Sequence, residues 1–125
     1  MVLGKDAQLN SAVVNAVAKV MDIQVVRMKN NSNDEFYGTA DKKGIFTEAF
    51  RERSDNPRWI VIEGDQNPET IECLNTVLDD NKVLVHLNKE RIPLCPNTRI
   101  VFEQCSSEGN SPAFVSRCGV VLVEN

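Results

Sequence analysis

Residues 59–62, Trp59-Ile60-Val61-Ile62, form an unbroken apolar run bounded by Pro57 on one side and Glu63-Gly64-Asp65 on the other. A strand with one wet face alternates apolar and polar side chains, whereas a strand buried on both faces has no such need. The run therefore asks for cover above and below. In a chain of 125 residues that cover comes from helices packed on the two faces of a mainly parallel sheet.

The rest of the chain is patterned to supply it. In 7–21, Leu9, Val13, Val14, Val17 and Val20 recur at helical spacing, and Asp6 is placed to cap the start. Residues 23–29 are β-branched and apolar and read as a strand, after which 30–34 reads as a loop. Gly38 and Gly44 mark turns. Ile45, Phe46, Ala49 and Phe50 share one face of a short helix over 45–53, which Pro57 prevents from continuing. Asn67 and Pro68 form a helix start, with Ile71, Leu74, Val77 and Leu78 on its apolar face. Residues 81–94 suit a hairpin turning near Asn88-Lys89, and 98–105 another strand. Ser111 and Pro112 open a short helix over 111–117, and Gly119 breaks it. The second continuously apolar run, 120–123, reads as a last strand buried on both faces. Strands thus alternate with helices in a three-layer α/β arrangement of one domain spanning 1–125, with neither repeat nor linker.

Composition narrows the function classes. A net charge of −4 argues against a general nucleic-acid surface. The apolar runs are far too short for a bilayer span, and the N-terminus lacks the pattern of a secretory leader, so the expected setting is intracellular. Cys73, Cys95, Cys105 and Cys118 form no CxxC pair, and His86 is not spaced with them as a zinc ligand. They read as reduced thiols, mostly buried, and no metal site is expected of them. His86 reads as a surface side chain, and Asp79-Asp80-Asn81-Lys82 as a helix-ending turn without an EF-hand ligand pattern.

Two stretches carry possible chemistry. An apolar strand ending in acid is where many ATPases hold Mg²⁺, and Glu63 ends such a strand here. Near the N-terminus, Gly4-Lys5-Asp6 matches only the tail of the phosphate-binding pattern GxxxxGK[ST], whose backbone N–H groups cradle phosphates and whose hydroxyl reaches Mg²⁺. The glycine-rich half is missing, and Asp6 puts a carboxylate where the hydroxyl belongs. Asp6 also suits a plain helix cap.

Several segments taken in order, "FYGTAD" (36–41), "WIVIEGD" (59–65), "LNTVLDDNK" (74–82), "ERIPL" (90–94) and "VSRCG" (115–119), closely resemble an AAA+ module of a dynein heavy chain. The second or third module of the ring is the nearer match, and the resemblance runs from about Phe36 to the end. It implies a P-loop NTPase-like large subdomain with an inserted β-hairpin, its first strand cut short and its phosphate-binding loop truncated. It implies ATP and Mg²⁺ as cofactors of the parent family, though none in this chain. The implied partners are other AAA+ modules of a microtubule motor ring, or a second copy completing the sheet, in the cytoplasm, cytoskeleton or ciliary axoneme.

By that resemblance Glu63 stands at the Mg²⁺-associated position and Gly64 where hydrolysing relatives carry the general base. Loss of such a base costs roughly 10²–10⁴-fold in rate. Asp65, two residues from Glu63, shares its face if the strand continues. Glu103 and Gln104 fall at the sensor position, and Arg117 at that of an arginine finger reaching a neighbouring module, or simply at a helix C-terminus. The expectation is a structural, non-hydrolysing dynein-type segment. The alternatives are an ATP-binding motor component whose phosphate loop lies upstream, and a free-standing α/β interaction scaffold. A sheet lacking its central strand would leave two rows of backbone groups unpaired, so Met1–Leu3 is expected to pair despite its brevity, unless the sheet rearranges or another chain fills the slot.

Overall fold

The computed structural model describes residues 1–66, 71, 74, 77–78, 82–85, 90–106, 110, 114–115 and 118–123. The elements are β1 (Val2–Leu3), α1 (Ala7–Val20), β2 (Gln24–Lys29), α2 (Asn33–Tyr37), α3 (Ile45–Arg51), β3 (Arg58–Glu63), β4 (Val83–Val85), β5 (Arg91–Pro93), β6 (Thr98–Gln104) and β7 (Val121–Leu122). Ile71, Leu74, Val77 and Leu78 are helical, as are Phe114 and Val115.

Five parallel strands form one sheet in the order β2-β3-β6-β1-β7, and β4 pairs antiparallel with β5 as the expected hairpin. Its turn, Asn88-Lys89, lies outside the described residues. This is the three-layer α/β, P-loop NTPase-like arrangement. The central slot is filled: Val2 and Leu3 pair with Glu103 and Gln104 on one side and with Val121 and Leu122 on the other.

The opening run, Trp59–Ile62, explains the layering. Ile60 and Ile62 face a core with Phe36, Phe46, Phe50, Leu74, Phe102 and Phe114, while Val61 faces the opposite side with Val2 and Val14. Val14 comes from α1, and Trp59, Val25 and Val101 flank it. Ile60, Val61 and Ile62 are each fully buried, worth roughly 1.5–3 kcal/mol per side chain. Phe36 and Phe46 stack at 4.7 Å, which locks α2 onto α3.

Three expectations need correction. Residues 30–34 are not simply a loop: Ser32 accepts the Glu35 N–H at 3.2 Å and starts α2, which ends at Gly38 with φ +93°. The helix expected over 45–53 stops at Arg51. The last strand is short and exposed, with Val121 at 55% and Leu122 at 66% of full exposure. Among the described residues β7 is an edge strand paired only with β1, while α1 packs mainly over β6, β1 and β2. An apolar run reports what a strand could bury, not what is there to cover it.

The thiols also divide. Cys95 is buried, Cys118 half-buried and Cys105 exposed, all three free, and Cys73 lies outside the described residues. Among the described residues no helix is long and apolar enough to cross a membrane.

Candidate functional site

In open parallel sheets, ligand crevices form beyond the carboxyl ends of the strands, where the strand order reverses. That end of this sheet gathers Gly4 after β1, Glu63-Gly64 after β3 and Glu103-Gln104 at the close of β6. A pocket of about 150 Å³ opens there, lined by Asn10 and Ser11 of α1, Lys29 of β2, Glu63, Gly64 and Glu103, with Ala7 and Cys105 at its sides.

Three residues, Gly4-Lys5-Asp6, separate β1 from α1. The Asp6 carboxylate accepts from the Gln8 and Leu9 N–H groups at 3.0 and 3.2 Å, so the helix start is capped from within the chain. Gly4 donates its N–H to Gln104 O at 3.1 Å. It also packs tightly: a Cβ there would come 2.5 Å from Asn10 Oδ1 and 2.7 Å from Val123 O. Asn10, almost wholly buried, donates through Nδ2 to Gly4 O at 2.9 Å and Gln104 O at 3.2 Å, tying α1 to the ends of β1 and β6. Its replacement by alanine takes this donor from Gly4 O and leaves Gln104 O with the Gly4 N–H alone, and urea unfolding is expected to show a loss of about 1–3 kcal/mol.

Glu63 and Glu103 sit side by side in the β3–β6 register and point to the α1 side of the sheet. Like charges directly opposite each other on neighbouring strands repel. Here Arg27 of β2 lies between them, its Nη1 3.3 Å from Glu63 Oε1 and 2.9 Å from Glu103 Oε2. Its Nη2 donates to Asn15 Oδ1 at 2.7 Å and to Ser11 O at 3.3 Å, and Nε reaches the same Asn15 oxygen at 3.2 Å. Ser11 Oγ donates to Glu103 Oε1 at 2.7 Å. Glu103 is 5% exposed, so this pairing is what its buried charge depends on.

Asp65 does not join Glu63. The chain turns at Gly64, whose φ is +91°, and Asp65 instead accepts from the Cys105 N–H at 2.8 Å and the Ser106 N–H at 3.4 Å. It thus fastens the end of β3 to the end of β6. A Cβ on Gly64 would meet open space, so the position presents no side chain to the pocket. Gln104 faces away from Glu103, into the other core, with neither amide atom hydrogen-bonded among the described residues. Arg117 lies outside the described residues, as do His86 and Asp79-Asp80-Asn81. Among the described residues no three His, Cys, Asp or Glu side chains come together as a metal-holding group.

The site therefore draws in residues that motif matching passed over: Asn10, Ser11, Asn15, Arg27 and Lys29. Arg27 carried a signal, since a charge inside the strand Val25-Val26-Arg27-Met28 has to find a partner when the sheet is covered.

Strand order and a pocket at the strand ends define a P-loop NTPase-like α/β protein. Comparison with known proteins narrows this further. No family model matches the chain. A ciliary dynein beta chain of Heliocidaris crassispina is 40% identical over 125 aligned residues, covering 92% of this chain. A cytoplasmic dynein heavy chain of Caenorhabditis elegans is 40% identical over 86% of it, and human dynein axonemal heavy chain 9 is 41% identical over 74%. The chain belongs to the dynein heavy chain family, as the counterpart of a short segment: it spans only 2–3% of the length of these relatives.

Proposed function

We propose that this chain is a structural, non-hydrolysing AAA+ segment of dynein heavy chain type, one domain in a microtubule-based motor ring. The observation that carries this reading is the three-residue link from β1 to α1. A phosphate-binding loop needs a string of free backbone N–H groups at the helix start. Here the link has no room for the glycine-rich half, and the Asp6 carboxylate already takes the Gln8 and Leu9 N–H groups while adding negative charge. The remaining residues fit Mg²⁺–ATP no better. Gly64 offers no base, and Glu63 is engaged by Arg27. In the parent family ATP and Mg²⁺ supply phosphoryl transfer; these residues do not make a place for them.

The partners that follow are neighbouring AAA+ modules of the same ring, and microtubules only through the whole motor, in the cytoplasm or the ciliary axoneme. The exposed edge formed by Val120, Val121 and Leu122 favours a second reading, an α/β scaffold whose open sheet edge meets another protein or a second copy.

A single-turnover assay with radiolabelled ATP and Mg²⁺ tests the proposal. The expected result is no phosphate release above buffer. Metal-dependent release that disappears in Glu63→Ala would overturn it.

A further inference from the structure

We propose that Arg27 is a built-in counter-cation that holds Glu63 and Glu103 together and shuts the strand-end pocket to divalent metal ions. The inference rests on reading Glu63 as the family's metal-associated position and adds what now occupies its charge.

The two carboxylates come from adjacent strands in exact lateral register and face one side. Left alone, they would present an oxygen-rich pair of like charges lining a pocket, which is the chemistry that attracts a hard divalent cation. A single guanidinium nitrogen answers both, at 3.3 Å from Glu63 and 2.9 Å from Glu103. The other two nitrogens are anchored on α1, through Asn15 Oδ1 and Ser11 O, so the side chain is held from both the sheet and the helix. Ser11 Oγ, the hydroxyl on the helix that faces this pair, is spent on Glu103 at 2.7 Å. A metal entering here would have to displace an always-charged guanidinium whose Nη1 already neutralises both carboxylates, and would meet its positive charge on the way. Arg27 reaches the pair because it stands two residues before Lys29, which is itself in register with Glu63, and therefore points to the same side.

The device predicts a gain of binding on removing a cation. Mn²⁺ alone is the probe, with free Mn²⁺ read by electron paramagnetic resonance on the full 125-residue chain. The parent chain is expected to leave the free signal unchanged up to about 1 mM, the weak end of protein cation sites. Arg27→Met is expected to take up one ion at least roughly tenfold more tightly, and Arg27→Met with Glu103→Gln to lose it again, in the range that supporting residues give to metal sites. Uptake by the parent chain that is lost in Glu63→Gln would overturn the proposal. So would a folded Arg27→Met chain, by circular dichroism, that binds no better than the parent.

If Arg27→Met does not fold, the parent chain still decides. The Arg27 side-chain N–H resonance is expected to stay sharp and unshifted as Mn²⁺ is added. Selective broadening at residues 27, 63 and 103 would count against the lock. Because no nucleotide is present, failure here is read in Mn²⁺ binding by the parent and Arg27→Met chains, whereas failure of the proposed function shows as ATP turnover.

Discussion

The Arg58→Ala chain unfolds at a clearly lower urea concentration than the parent, with a loss of about 2–4 kcal/mol from lost packing and lost charge-assisted hydrogen bonds. Arg58 opens β3 on the face opposite the pocket and is 1% exposed. Its Nη2 donates to Ala49 O at 2.8 Å and Glu52 O at 2.9 Å, two carbonyls at the end of α3 that have no helical partner ahead of them. Nη2 also lies 3.5 Å from Thr98 Oγ1, and Nη1 3.2 Å from the Glu52 carboxylate. Alanine removes the donors from two half-buried carbonyls and opens space between α3 and the sheet. An unchanged denaturant slope with a lowered midpoint identifies the change as one of stability. Arg58→Lys, which keeps the charge but not the fork, is expected to recover only part of the loss. A midpoint like the parent's would mean the guanidinium contributes no net stability there.

Gly44→Ala is expected to cost about 3 kcal/mol, at the upper end for overpacking, because the obstacle is main chain rather than a side chain that can turn aside. Gly44 sits at an ordinary φ of −89°, so its smallness matters for space and not for conformation. A Cβ there would overlap the backbone of Tyr37 and Gly38 and come within 2.5 Å of Phe36 O. Relieving that overlap pushes α2 away from α3 and pulls apart the Phe36–Phe46 stack. Thermal unfolding followed by circular dichroism should show a fall of roughly 10 °C. Gly119→Ala, where an added Cβ meets nothing within 4 Å, is the matching control and should leave the midpoint in place. Equal midpoints for the two variants would refute the steric account.

The sequence made the layered fold readable because its strongest signals are local or periodic. The Asp6 cap and the non-alternating Trp59–Ile62 run each depend on neighbours a few residues away, and both reappear in the structure. The stripe expected on α1 does so only in part, since Val14 is buried while Val17 and Val20 are exposed, and Asn10 and Ala18 complete the buried face. Ser32 was equally local: Ser32-Asn33-Asp34-Glu35 has the serine-to-glutamate spacing of a helix start, but it was hidden among polar residues that resemble a loop. The exposure of β7 was not readable, since it depends on what lies across the sheet. The site was readable in part. Glu63, Gly64, Glu103 and Gly4 do gather at one end of the sheet, yet Glu103 and Gln104 look alike as neighbours in sequence and face opposite layers in the fold. The tie from Arg27 to Glu63 and Glu103 depends on which strands become neighbours, which no local spacing encodes.

The two residues of β1 also set how the sheet bears load. Among the described residues, β7 is joined to the other strands only through β1. Val121 N–H to Met1 O and Val123 N–H to Leu3 O, both at 2.8 Å, are rungs of that joint, and Gly4 N–H to Gln104 O secures the far side. A force along the strands would strain these rungs together in shear, where they resist as a group. A force pulling β7 sideways would open them one after another, like a zipper with very few teeth. The sheet is therefore stiff along its strands and weak across one line, and displacement of β7 would part there before it bent the layers around Trp59–Ile62.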